Sequence, residues 1–193
     1  MSKKANGISK CHYAKYTVEA GVVTFQAPQR IPDLENLTAT DKFAEGKNYA
    51  DNVQNIYEKK ITGATLSLEF SNVSRKIESD LAGHAYDAGE MEVSTTDIQS
   101  GVAVLYQKNY NDGSYDNIIY YNCKLSKDGD SGQTQGESIT YQGDTLSGEA
   151  IPLSNGKLKY VIASDSIGED EKKKAKLDNF FNKVQFKDVD HTP

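Results

Sequence analysis

Gly63-Ala64-Thr65-Leu66-Ser67-Leu68-Glu69-Phe70 is the stretch on which the reading of the fold turns. Ala64, Leu66, Leu68 and Phe70 fall on one side of an extended chain, and Thr65, Ser67 and Glu69 on the other. That alternation predicts a half-buried β-strand. Immediately after it the period changes. Val73, Ile77 and Leu81 recur every four residues, with Ser71 or Asn72 as N-cap and Gly83 as stop, which predicts a short amphipathic helix on a narrow apolar stripe.

Working outward, most other segments also alternate with period two. His12 to Val18 and Val22 to Ala27 flank Glu19-Ala20-Gly21 and predict a hairpin, ended by Pro28, which cannot donate to a ladder. Ile31 to Leu37 is ambiguous. The polar segment from Thr38 to Asn55 reads as a long excursion, and residues 84–100 as a second, acidic one. Val102 to Tyr106 and Ile118 to Cys123 are strands around a turn containing Asp112-Gly113. Asp128 to Ser138 is a loop, followed by short strands at Ile139 to Tyr141, at Leu146 and at Leu158 to Ile162. Leu177, Phe180, Phe181 and Val184 predict a C-terminal helix. Eight or nine short strands, adjacent in sequence, predict a mainly β protein: an antiparallel sandwich or barrel flanked by one helix. The 193 residues fit a single domain, with a core over about 6–165 and a C-terminal extension over 166–193.

Composition narrows the function. There are 22 basic and 28 acidic residues, a net charge of −6, which argues against a domain that grips nucleic acid. The charge is uneven: residues 1–60 carry 9 basic and 7 acidic side chains, residues 61–150 carry 5 and 14, and residues 151–193 carry 8 and 7. No run approaches the roughly 18 apolar residues of a membrane helix. The opening Met1 to Gly7 does not lead into a signal-peptide core, so the chain is expected to stay where it is made. In that setting Cys11 and Cys123, far apart in sequence, are expected to be reduced buried thiols, and the sequons at Asn36 and Asn72 carry no weight.

Candidate chemistry is thin. Gly129-Asp130-Ser131-Gly132 has the look of a serine-protease nucleophile turn, but Gln133 stands where a further glycine is needed. As a calcium loop it fails at Gln133 and at Ile139, where a glycine and a glutamate are required. His12, His84 and His191 have no metal-ligand spacing. The lysine run 172–174 sits beside acidic residues, as on an exposed helical face. No catalytic centre, cofactor or metal is predicted.

A resemblance is carried by several stretches in order. Asn6-Gly7-Ile8-Ser9-Lys10-Cys11-His12-Tyr13-Ala14 resembles the opening of the major tail tube proteins of long-tailed (siphovirus-type) phages. Tyr49-Ala50-Asp51-Asn52 resembles their short aromatic-Ala-Asp segment, Gly63 to Leu68 a core strand, and Ser74-Arg75-Lys76-Ile77 to Gly83 their side helix. Tyr120-Tyr121-Asn122-Cys123-Lys124 and Asp144-Thr145-Leu146 resemble two later strands. Residues 166–193 have no counterpart. The resemblance implies a structural, non-enzymatic virion protein, made in the host cytoplasm. It implies six copies per ring, rings stacked into a hollow tube, and DNA passing through without specific binding. The implied partners are further copies of itself, a tape measure protein, a tail terminator and tail tip proteins. The acidic middle fits a lumen that repels DNA, for which Glu90, Glu92 and Asp97 are the candidates by position. The polar excursion supplies candidate ring-stacking residues Glu45, Lys47, Tyr49 and Asp51. Two other readings are a soluble β-sandwich module binding carbohydrate or serving adhesion, and the tube of a DNA-free, tail-like bacteriocin. Missing Trp platforms and a missing export signal count against the module.

Overall fold

Eleven strands and two helices make up the computed structural model, which describes residues 2–50, 53–134 and 141–187. The architecture is mainly β, antiparallel, with helices against it. In chain order β1 is Ala5–Glu19, β2 Val22–Phe25, β3 Gln29–Arg30, β4 Leu34–Ala50 and β5 Val53–Phe70. Helix α1, Arg75–Ala82, follows, then β6 Ala85–Asp87, β7 Glu90–Glu92, β8 Val102–Tyr110 and β9 Tyr115–Lys127. The chain ends with β10 Asp144–Ala150, β11 Lys159–Ala163 and helix α2 Glu171–Asp178.

The main sheet runs β2-β1-β8-β9-β10-β5-β4, with β3 beside β1 and β11 beside β9. Strand β9 is where it divides. Residues 116–120 pair with β11, whereas 123–127 pair with β10, so one long strand feeds two layers. Between the layers lies the first core. Ala64, Leu66, Leu68 and Phe70 are fully buried there with Cys11, Tyr13, Val104, Leu125 and Leu146, as the alternation of β5 requires. A second core covers the opposite face of β8 and β9, where Leu105, Ile119 and Tyr121 meet Ile162, Phe180 and Val184. Strands β8 and β9 are therefore buried on both sides, and read as continuous apolar runs rather than alternating ones.

Helix α1 is capped at Ser74, two or three residues later than expected: its side chain accepts from the Ile77 N–H at 3.4 Å. Gly83 takes the left-handed conformation (φ 83°) and returns its N–H to the Ser79 carbonyl, closing the C-terminus. The C-terminal helix is shorter than predicted. It stops at Asp178, and Phe180, Phe181 and Val184 belong to the turns that follow, because Asp178-Asn179 favour local side-chain bonds over helix. Ile139 and Thr140 lie outside the described residues. Tyr141, expected in the same strand, is outside any strand and fully solvated.

The largest difference concerns Thr38 to Asn55, which reads as a loop in sequence. It is regular structure: β4 and β5 form one long hairpin, paired from Leu34↔Phe70 out to Ala50↔Val53. Polar residues hid it because its outer half buries neither face, so no alternation marks the pairing. The second excursion likewise contains a small ribbon, β6–β7, whose turn uses Ala88 and Gly89 at positive φ.

Candidate assembly surface

Two features stand out once the strands are in register. The first is the outer face of the layer β4-β5-β10-β9. Thr38, Ser67, Ser147 and Ser126 lie side by side across its four strands, and Thr40, Thr65, Glu149 and Lys124 form the next row. Asn36, Glu69 and Thr145 make a third. The face is thus built of short hydroxyl and amide side chains. Each lysine on it stands beside a carboxylate: Lys42 bonds Glu149, which also stands opposite Lys124. Glu69 stands among Asn36 and Thr145, and Glu35 and Asp128 lie at the margin, where Ser71 and Ser147 donate to them. Four carboxylates against two lysines leave a small acidic excess. The first core backs this face throughout, so its polarity is not a consequence of solvent on both sides.

The second feature is the outer half of the β4–β5 hairpin, an arm about 25 Å long. Beyond Gly63, β5 has no strand on its far side among the described residues, and β4 is the last strand of the sheet. Both edges and both faces of the arm are open. One face carries the pairs Phe43↔Ile61, Glu45↔Lys59 and Lys47↔Tyr57. The Tyr57 hydroxyl donates to Glu45 at 3.1 Å, Lys47 and Lys59 lie 3.5 and 3.6 Å from the same carboxylate, and Lys59 sits over the Phe43 ring. The tyrosine hydrogen bond, and then the two lysines, hold Glu45 below the usual carboxylate range. On the other face only the β4 side is small: Ala44, Gly46 and Asn48 stand opposite Lys60, Glu58 and Ile56. Phe43, Tyr49, Ile56 and Tyr57 are between 48 and 60% exposed, an unusual concentration of apolar surface on a two-stranded ribbon.

Three of the candidate stacking residues, Glu45, Lys47 and Tyr49, lie on this arm; Asp51 lies outside the described residues. The candidate lumen residues do not gather on the hydroxyl face. Glu90 and Glu92 belong to the separate β6–β7 ribbon. Asp97 accepts from the Ser94 N–H and bonds His84 Nδ1 at 2.7 Å, and these bonds, in that order, hold it below the usual range. The acidic middle is not a single surface either. Asp80 serves α1, Asp144 bonds Lys127 and the Val73 N–H, and Asp112 closes the β8–β9 turn. Period two in β5 and β10 was the signal that could have found Glu69 and Glu149, but their neighbours across the sheet come from pairings that no local pattern states.

Elsewhere, the His12 ring lies tilted against Phe181 with centroids 4.8 Å apart, and Asp130 of the Gly-Asp-Ser-Gly turn is tied to Lys127 and Arg75. Cys11 and Cys123 are free and buried; burial pushes the Cys11 thiol up to about 12. Among the described residues no three His, Cys, Asp or Glu side chains come together as a metal site, and no helix is long and apolar enough to cross a membrane. A scan against protein-family models finds no match to this chain, and a search of the curated proteins finds no relative.

Proposed function

We propose that this chain is the repeating subunit of a hollow tail tube of a long-tailed phage, built of stacked six-fold rings. The observation that carries the reading is the hydroxyl face of β4-β5-β10-β9, which in this reading lines the lumen. DNA carries a charge every 1.7 Å or so and binds tightly wherever several cations can meet phosphates together. A wall of Ser and Thr, with each lysine beside a carboxylate, offers the duplex water-like contacts and nothing to hold it. The open edge of β4, 17 residues long, is the kind of edge that soluble monomers normally blunt, and a neighbouring copy would complete it. The arm, with Glu45, Lys47 and Tyr49, reaches the next ring. In this reading the protein works in the virion tail without cofactor or catalysis.

The test is negative-stain microscopy of the purified chain as it is concentrated. Rings and hollow tubes of uniform bore are expected. A protein that stays monomeric at all concentrations, and binds a glycan array, would instead be a sandwich-type binding module.

A further inference from the structure

A cleft of about 450 Å³ opens at the root of the arm, lined by Ile61, Tyr121, Leu158, Tyr160 and the lysines 157, 159 and 187. Its floor is apolar and its rim basic. Lys159 is engaged with Asp41 and Tyr120. Lys157 lies over the Phe186 ring, and neither it nor Lys187 is ion-paired within the described residues. The β6–β7 ribbon is its complement. Asp87, Glu90 and Glu92 project from six paired residues that include no basic side chain, and Tyr86 and Met91 form its cross-strand pair. The ribbon has no strand of the main sheet beside it. Among the described residues no ion pair joins Asp87, Glu90 or Glu92 of the ribbon to Lys157, Lys159 or Lys187 of the cleft; Lys159 is paired with Asp41 instead.

We infer that the acidic tip of the β6–β7 ribbon of one copy docks in the lysine-rimmed cleft of another. The contact is heterologous, because two different patches of the chain meet. Such a contact repeats head to tail instead of closing a pair, as a stacked assembly requires. It rests on the tube-subunit reading for its place in the assembly, but the contact itself is independent of a bore. The apolar floor receives the Tyr86–Met91 pair, while Glu90 and Glu92 meet Lys157 and Lys187 at the rim, where charge sets register and partner choice.

The test uses the full chain in three forms: E90K/E92K, K157E/K187E, and both together. Each charge-reversed form should raise the concentration needed for assembly at least tenfold without changing the thermal unfolding of the subunit, since opposed like charges now meet. The combined form should recover to within about threefold of the parent. In parallel, E90C and K187C variants are mixed and treated with a short bis-maleimide; the native thiols are buried and stay silent. A cross-linked pair, lost when K157E is added, supports the contact. Tubes that form without the cross-link, or a combined form no better than its parents, would overturn the contact and leave the tube reading standing. Cross-linked chains without hollow tubes would keep the contact and overturn the tube. Neither product would overturn both.

Discussion

Gly148 lies where β10 presses against β9, opposite Leu66 on one side and Leu125 on the other. A Cβ there would come 1.8 Å from the Lys124 carbonyl, a backbone atom that cannot move without opening the ladder. G148A should therefore cost about 3 kcal/mol, the upper end for overpacking, and a lowered urea midpoint at unchanged slope would register it. Asp80 acts by charge instead. It accepts from Tyr13 at 2.8 Å, from Lys15 at 2.5 Å and from Lys76 at 3.1 Å, so it joins α1 to β1. Burial on its own would raise its pKa, but the bonds from Lys15, Tyr13 and Lys76 outweigh it and the carboxyl is held low. A depressed folded pKa means stability that is present above the unfolded value, near 3.9, and lost as pH falls through the lower folded one. D80N should cost about 1–3 kcal/mol at pH 7, and the gap to the parent should narrow as pH falls below the unfolded value near 3.9 in denaturation curves. If the gap is the same at pH 3 as at pH 7, the charge is not what matters.

Among the elements, the arm and the C-terminal segment do opposite things. Two-stranded ribbons are barely stable in water, and the arm adds no core of its own. Joining Phe43 to Ile61 through a two-residue Asn-Gly turn should leave the urea midpoint of the subunit unchanged, while sedimentation shows no tubes at any concentration. Residues 177–186, in contrast, seal the second core: Phe180 is fully buried, Phe186 stacks on Tyr121 at 4.7 Å, and the Tyr121 hydroxyl donates to the Gln185 carbonyl. F180A should cost about 3–5 kcal/mol, read from thermal unfolding. The sequence showed these two elements unequally. Ala64 to Phe70, the β1–β2 hairpin and the α1 stripe were legible, because each buries one face and keeps one wet. The arm was not, since it buries neither, and the extension was seen as a helix because Leu177, Phe180, Phe181 and Val184 mimic helical spacing. The hydroxyl face was half legible. Thr65, Ser67 and Glu69 were on the outer side of a predicted strand, but no local pattern joins them to Thr38, Ser147 and Ser126.

At the scale of the molecule, the sheet decides what faces where. Glu69 has no lysine across from it, so it is the carboxylate whose reversal alters the hydroxyl face most directly. In a six-fold ring E69K shifts each ring by about twelve charges. Tubes should still form, but DNA should leave the virion more slowly at low salt, with the delay relieved as salt rises, because polyanion binding weakens with counterion concentration. The same change at Glu169, an exposed carboxylate off that face and outside the ribbon contact, should leave ejection unchanged. Ejection at the parent rate in E69K virions at low salt would show that the hydroxyl face is not the lumen.

The open arm also bears on when the proposed polymer would start. In that assembly a first pair of subunits would have to fix both ribbons against each other with little else in contact, whereas a subunit joining an existing end would find a finished template. Starting would then be the slow event and lengthening the fast one. A solution of this chain should sit above its solubility for a measurable lag, then convert quickly, and a trace of sheared tubes should abolish the wait. In a cell, that asymmetry would hand the decision of where a tube begins to whatever presents the first ready-made end.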